Sequence, residues 1–116
     1  MNGRGSRTKG RSAEREVELR FQDAGFTTER ALSGRRQIAG DINVAGLALE
    51  VRRRETLSID AWSRDHEDET PEHLTPVVVY RRSRAPWRCS LLLEDLIDLL
   101  REARSGYRSP TRKEHR

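Results

Sequence analysis

Cysteine is nearly absent from this chain: Cys89 is the single one in 116 residues. One thiol builds neither a disulfide framework nor a thiolate metal cluster, and a reducing, intracellular setting fits. Long apolar runs are missing as well. No stretch has the length of a membrane span, and the N-terminus lacks the apolar core of a signal peptide, so the expectation is a soluble, cytoplasmic protein with no membrane partner. The histidines, His66, His73 and His115, are scattered, and no two fall at the helical spacing of a ligand pair. There are no internal repeats. Lysine is scarce too. Only Lys9 and Lys113 stand among 23 basic residues; arginine replaces lysine throughout, and its planar fork suits bidentate contact with phosphate.

What is abundant is charge. Charged residues make up 36% of the chain against 34% hydrophobic, with a formal net charge of +4. A chain of this length forms one domain with a small core, which dimerisation would help to complete. The positive balance favours a polyanionic partner.

The stretch from Gly40 to Arg52 carries the clearest chemistry. It reads as a β-hairpin, two apolar-alternating runs joined by Ala45-Gly46. A two-residue turn there sets Val44 against Leu47, Asn43 against Ala48, Ile42 against Leu49 and Asp41 against Glu50. Alternation then puts Asp41, Asn43, Ala48, Glu50 and Arg52 on one face. Ile42, Val44, Leu47, Leu49 and Val51 form an apolar face on the other side. Opposed carboxylates weaken a strand pair, so a sequence that places them there is expected to hold a cation between them.

Around this hairpin the chain reads as follows. Residues 1–11 carry Arg4, Arg7, Lys9 and Arg11 among glycines and read as a flexible basic arm, either a solvated tail or a phosphate contact. Residues 12–105 read as the folded domain. Ser12 can cap a helix running to about Ala24, with Gly25 as its stop and Ala13, Val17, Phe21 and Ala24 as its buried stripe. Glu14 lies beside that stripe in the first turn, a place where an acid is ordinarily helix-dipole compensation. Phe26 to Leu32 alternates as a strand, and Ser33 to Gln37 is a basic polar loop. Arg52, Arg53 and Arg54 form a basic ledge next to the proposed carboxylate pair. A short helix starts at Ser58 or Asp60 and runs through Trp62, and the acids from Asp65 to Glu69 read as a solvated segment that matches no calcium or zinc loop. Thr75 to Tyr80 is a strand buried on both faces, Arg81, Arg82 and Arg84 follow in a loop, and Trp87 to Leu91 is a last strand. Leu92, Leu96, Leu99, Leu100 and Ala103 mark an amphipathic helix whose stripe is core or dimer seam. Residues 106–116 read as a basic, disordered tail. The resulting order, α-β-β-β-α-β-β-α, is that of an α/β domain with a mixed sheet flanked by helices.

Three stretches, taken in order, resemble the PD-(D/E)XK nuclease superfamily, with its restriction-endonuclease-like core, and within it the archaeal-type Holliday junction resolvases. Lys9 to Glu16, followed by Ala24-Gly25-Phe26, resembles that family's first helix with its acid at Glu14. Arg30-Ala31-Leu32-Ser33-Gly34 is similar to its strand and loop bearing a basic residue and a serine. Gly40-Asp41 with Glu50-Val51-Arg52 resembles the D…(E)xK core, and Pro76 to Arg81 with Trp87 is a weaker echo of the fourth strand and the loop after it. The resemblance covers roughly residues 9–88.

It implies a metal-dependent structure-specific DNA endonuclease. Asp41 and Glu50 would hold a magnesium ion (Mg²⁺, with Mn²⁺ as the alternative), and Glu14 would complete or support the site. Ser33 and Arg30 would touch the scissile strand, and Arg15 and Arg81 would hold neighbouring phosphates. The basic ledges add Arg35, Arg36, Arg53, Arg54 and Arg82 as DNA contacts. At one position the chain departs from the pattern: the family's lysine is Arg52 here. Arginine stays protonated at working pH, so Arg52 can stabilise charge on phosphate but cannot act as a general base. A four-way junction as substrate implies a homodimer, because two symmetric cuts need two sites related by a twofold axis. Two other readings stay open: another nuclease of the same fold acting on flaps, nicks or duplex DNA, and a non-catalytic DNA-binding module with an inactivated site.

Overall fold

Five strands form one mixed sheet in the order β1-β2-β3-β4-β5, with three helices around it. The computed structural model describes residues 3–30 and 40–106, with side chains from Ser12 onward in the first helix. In chain order the elements are α1 (Gly3–Asp23), β1 (Thr28–Arg30), β2 (Ile42–Val44), β3 (Leu47–Arg53), α2 (Ile59–Glu69), β4 (Thr75–Arg81), β5 (Arg88–Ser90) and α3 (Leu93–Gly106). The β3–β4 pair is parallel and the other pairs are antiparallel. This is the α/β order and the mixed sheet that the sequence predicts.

The hairpin has the predicted register: Ile42 opposite Leu49, Asn43 opposite Ala48, Val44 opposite Leu47. Ala45 and Gly46 both take positive φ, 49° and 81°, the conformation whose twist matches a two-residue hairpin. On one side of the sheet α1 lays Ala13 and Val17 against Ile42, Val44, Leu49, Val51, Val77 and Val79, with Phe21, Leu47, Trp87 and Leu91 packed at the margin. This core is wholly aliphatic at its centre. Its side chains are small, so each contributes on the order of 1.5–3 kcal/mol at most. On the opposite side α2 covers Ala48 and Val78, both essentially fully buried, and presents a buried His66.

Four expectations are corrected. α1 begins at Gly3, so Ser12 lies inside the helix instead of capping it, and Gly3 to Arg11 are helical where a flexible arm was expected. β1 spans Thr28–Arg30 and so begins later than expected; Phe26 precedes it, half-exposed, with its ring edge-on to Phe21 at 6.2 Å, and Ala31 and Leu32 lie outside the described residues. α2 runs through Glu69, beyond the expected end at Trp62, so the acidic stretch is helical, while Asp65, Asp68 and Glu69 are exposed to solvent as expected. Its charges occupy the outer face while Trp62 and His66, four residues apart, turn inward. Finally, α3 contains no buried residue, and Leu92, Leu93, Leu96 and Leu100 are exposed, which removes the core reading of its stripe. The expected tail beyond Gly106 lies outside the described residues. Among the described residues no helix is long and apolar enough to cross a membrane.

Candidate active site

The site forms where β2 stops short of β3. The ladder ends at Ile42 and Leu49, and Asp41 continues it by other means. Its backbone N–H donates to the Leu49 carbonyl at 2.7 Å, and its Oδ2 accepts the Val51 N–H at 2.8 Å. A side-chain oxygen thus replaces the carbonyl that a longer β2 would have offered, and the Asp41 carboxylate is oriented by β3 itself. Gly40 makes the turn possible. Its φ is +72°, and a Cβ there would lie 2.6 Å from the Leu49 oxygen and 2.9 Å from His66 Cε1.

Asp41, Glu50, Glu14 and Ala13 line one pocket together with Val51, Arg52, Arg53 and Arg54. Burial pushes the Glu14 carboxyl above its ordinary range, and the adjacent Asp41 charge adds to the effect. Asp41 is raised by burial first and by Glu50 as well, while the Val51 N–H and Arg52 oppose the rise. The Glu14 and Asp41 carboxyls stand within hydrogen-bonding reach of each other. Glu50 forms an ion pair with Arg52, Nη2 to Oε2 at 2.7 Å, and its Oε1 lies 3.9 Å from His66 Nδ1. Acids from α1, from the start of β2 and from β3 therefore crowd one pocket that carries a guanidinium at its wall.

Glu14 is held from β1. Arg30 Nη2 donates to Glu14 Oε1 at 2.6 Å, and Arg30 Nη1 reaches Glu18 Oε1 at 3.4 Å. Glu18, itself buried, also accepts from Thr28 Oγ1 at 2.9 Å and pairs with Arg15 at 3.5 Å. Arg30 thus bridges two acids of α1. Arg81 is committed likewise: Nη2 donates to Glu16 Oε1 at 3.1 Å, Nη1 to the Ala85 carbonyl at 3.2 Å, and the guanidinium lies 5.0 Å from the Trp87 ring centroid. Trp87 Nε1 donates to the same Glu16 oxygen at 3.1 Å. This cluster fastens α1 to the β4–β5 end of the sheet. Arg15 and Arg54 are largely exposed, and Arg82, also exposed, donates from Nε to the Glu55 carbonyl. Ser33, Arg35 and Arg36 lie outside the described residues.

Sequence reasoning passed over His66, Trp62, Glu16 and Glu18. His66 Nε2 donates to the Ala48 carbonyl at 2.7 Å, and its Nδ1 lies 3.9 Å from Glu50 Oε1 and 3.4 Å from Thr70 Oγ1. The four-residue spacing of Trp62, His66 and Thr70 was the available signal, once α2 is extended through Glu69. Glu14 and Glu18 are spaced alike on α1, which presents both to Arg30.

Neither a family model nor a curated protein matches the chain. Among solved structures it is similar to a Holliday junction resolvase of Archaeoglobus fulgidus, an archaeal hyperthermophile, with 25% sequence identity over 69% of this chain and 74% of that one, at a TM-score of 0.46.

Proposed function

We propose that this protein is a metal-dependent, structure-specific DNA endonuclease that cuts four-way junctions as a homodimer. The observation that carries the reading is the meeting of Glu14, Asp41 and Glu50 in a pocket walled by Arg52, Arg53 and Arg54. It gives physical form to the D…(E)xK resemblance of the sequence.

The donor set fits a hard divalent ion such as magnesium. All three acids offer oxygen, and two of them are pushed up by burial and mutual repulsion that a cation would relieve. Asp41 and Glu50 would hold the ion, with Glu14 supporting. Among the described residues no three His, Cys, Asp or Glu side chains are grouped to enclose an ion, so its remaining positions would fall to water and a substrate phosphate, as magnesium commonly has it. When bound, such an ion acidifies a bound water and draws off charge from the attacked phosphate.

The chain's own residues supply the rest. The Val51 N–H fixes the Asp41 carboxylate before any ligand arrives, and Arg30 fixes Glu14. Arg52 sets a permanent positive charge beside the ligand pair, suited to stabilising the phosphate transition state and unable to take a proton from water. Arg53, Arg54, Arg15 and Arg82 are the candidates for neighbouring phosphates, a mode of binding that gives strong salt dependence and little base readout. The exposed leucines of α3 offer a self-complementary apolar face for the second subunit that symmetric cutting requires. The test is cleavage of a synthetic four-way junction, a flap and a plain duplex side by side with magnesium. Paired nicks confined to the junction support the reading, and equal cutting of all three would replace it with a general nuclease of the same fold.

A second reading is favoured by one observation. Arg52 lies 2.7 Å from a Glu50 oxygen, and a guanidinium held there competes with a metal ion for that oxygen. On this account the protein is a DNA-binding module with a silenced site. Arg52→Lys separates the two: a silent parent whose variant cuts supports the module, whereas a parent that cuts, with the variant within about tenfold of it, supports the enzyme.

A further inference from the structure

Arg52 is held from the far side of the sheet by a residue that the nuclease resemblance does not assign. Its guanidinium carbon lies 5.6 Å from the centroid of the Trp62 ring, while Nη2 reaches Glu50 Oε2 at 2.7 Å. Its Nε is buried without a hydrogen-bond partner among the described residues. An arginine side chain has several rotatable bonds and ordinarily keeps its polar head in water. Here one donor is given up to burial, and what faces the guanidinium is the electron-rich face of an indole, the best of the aromatic partners for a cation. Trp62 sits on α2, one turn before His66, whose imidazole is anchored on the Ala48 carbonyl at 2.7 Å. The helix is therefore fixed to β3 at one point and can hold Arg52 at the next.

We propose that Trp62 is the positioning residue for Arg52, holding its guanidinium at the wall of the acidic pocket so that the charge meets the bound phosphate from a fixed place. The inference rests on the reading of that pocket as a phosphodiester-cleaving site. It explains how an arginine can stand where the resembling family has a lysine. A flat, delocalised cation stacks on an aromatic face better than a compact ammonium does, and the chain supplies such a face. Trp62 is not among the residues that line the acidic pocket; it acts through Arg52.

The test combines nuclear magnetic resonance of the Arg52 side-chain Nε–H with cleavage kinetics in the full-length parent, Trp62→Phe and Trp62→Leu. In the parent the Nε–H signal is expected to be shifted upfield by the indole ring current. Trp62→Leu should abolish that shift and lower kcat about tenfold, roughly 1.4 kcal/mol of transition-state stabilisation, with the KM for DNA within about twofold. Trp62→Phe, which keeps an aromatic face, should retain a partial shift and most of kcat. An Nε–H signal that is the same in the parent and Trp62→Leu overturns the proposal, as does an unchanged kcat in that variant when the parent cuts DNA. A parent that does not cut removes the nuclease reading, while the Nε–H shift still decides whether Trp62 holds Arg52. Loss of the folded spectrum in Trp62→Leu shifts the comparison to Trp62→Phe, where a partial upfield shift with most of the parent's kcat supports the aromatic hold and a signal unmoved from free arginine overturns it.

Discussion

The carboxylate of Asp41 accepts the backbone N–H of Val51 at 2.8 Å, closing with a side chain the ladder that β2 leaves open. The bond is retained by an asparagine, whose amide oxygen can accept it, so Asp41→Asn removes the charge without removing the orientation. Glu14 and Asp41 both have folded-state pKa values raised above their ordinary 4.5 and 3.8. A raised acid binds its proton more tightly folded than unfolded, so its contribution favours folding below the ordinary value and is lost as the pH climbs through the folded one. At neutral pH without metal, Asp41→Asn should therefore melt a few degrees above the parent, and the gap should narrow as the pH falls through the raised folded value and be closed once the ordinary 3.8 is passed. Magnesium should raise the melting temperature of the parent and leave the variant's unchanged. Thermal melts at several pH values check this; a variant that melts lower at neutral pH would mean that the Asp41 charge is stabilising.

Gly40 is confined twice over, by its φ of +72° and by the Leu49 carbonyl and His66 ring that leave no room for a Cβ. Gly25 has a φ of +97° with nothing within 4 Å, so it isolates the backbone component. Gly25→Ala should cost roughly 1–2 kcal/mol. Gly40→Ala should cost clearly more, about 3 kcal/mol or above once the contacts with Leu49 and His66 are forced apart. Urea unfolding of the two variants compares them directly, and equal losses would show that the approach of α2 to the turn is unimportant.

The register from Ile42–Leu49 to the turn was legible in the sequence because strict alternation met a turn that only one pairing satisfies; Asp41, expected opposite Glu50, lies beyond that ladder and is held by Leu49 and Val51 instead. Glu14 gained its position from resemblance, and its burial beside Asp41 gives that position a physical basis. What was not legible came from partners far away in the chain. Charges from Asp65 to Glu69 dominated the view of a segment whose one buried residue is His66. Arg30 and Arg81 looked like free cations because Glu14, Glu18 and Glu16, all on α1, are visible as their partners only once the helix is laid on the sheet. A basic residue in a loop or at a strand end says nothing of the acid that folding brings to it.

The α3 face supplies a prediction about assembly. Leu96 and Leu100 are 40% and 61% exposed and stand one turn apart. If the second subunit covers them, Leu96→Glu with Leu100→Glu should weaken dimerisation by at least about 100-fold, the loss expected for two leucines kept from burial. The helical signal should not change, since no residue of α3 is buried within the subunit. Analytical ultracentrifugation reads the outcome; a parent that is monomeric at every concentration would remove both the interface and the paired-cut mechanism.

We propose that Asp41 and Glu50 together cut DNA. The most direct measurement is the single-turnover rate on a four-way junction, with and without magnesium, for the parent, Asp41→Ala and Glu50→Ala. Paired, magnesium-dependent nicks by the parent are expected, with a loss of at least about 1,000-fold in each variant, the equivalent of roughly 4 kcal/mol of transition-state stabilisation. Cleavage by both variants at the parent's rate would contradict the proposal.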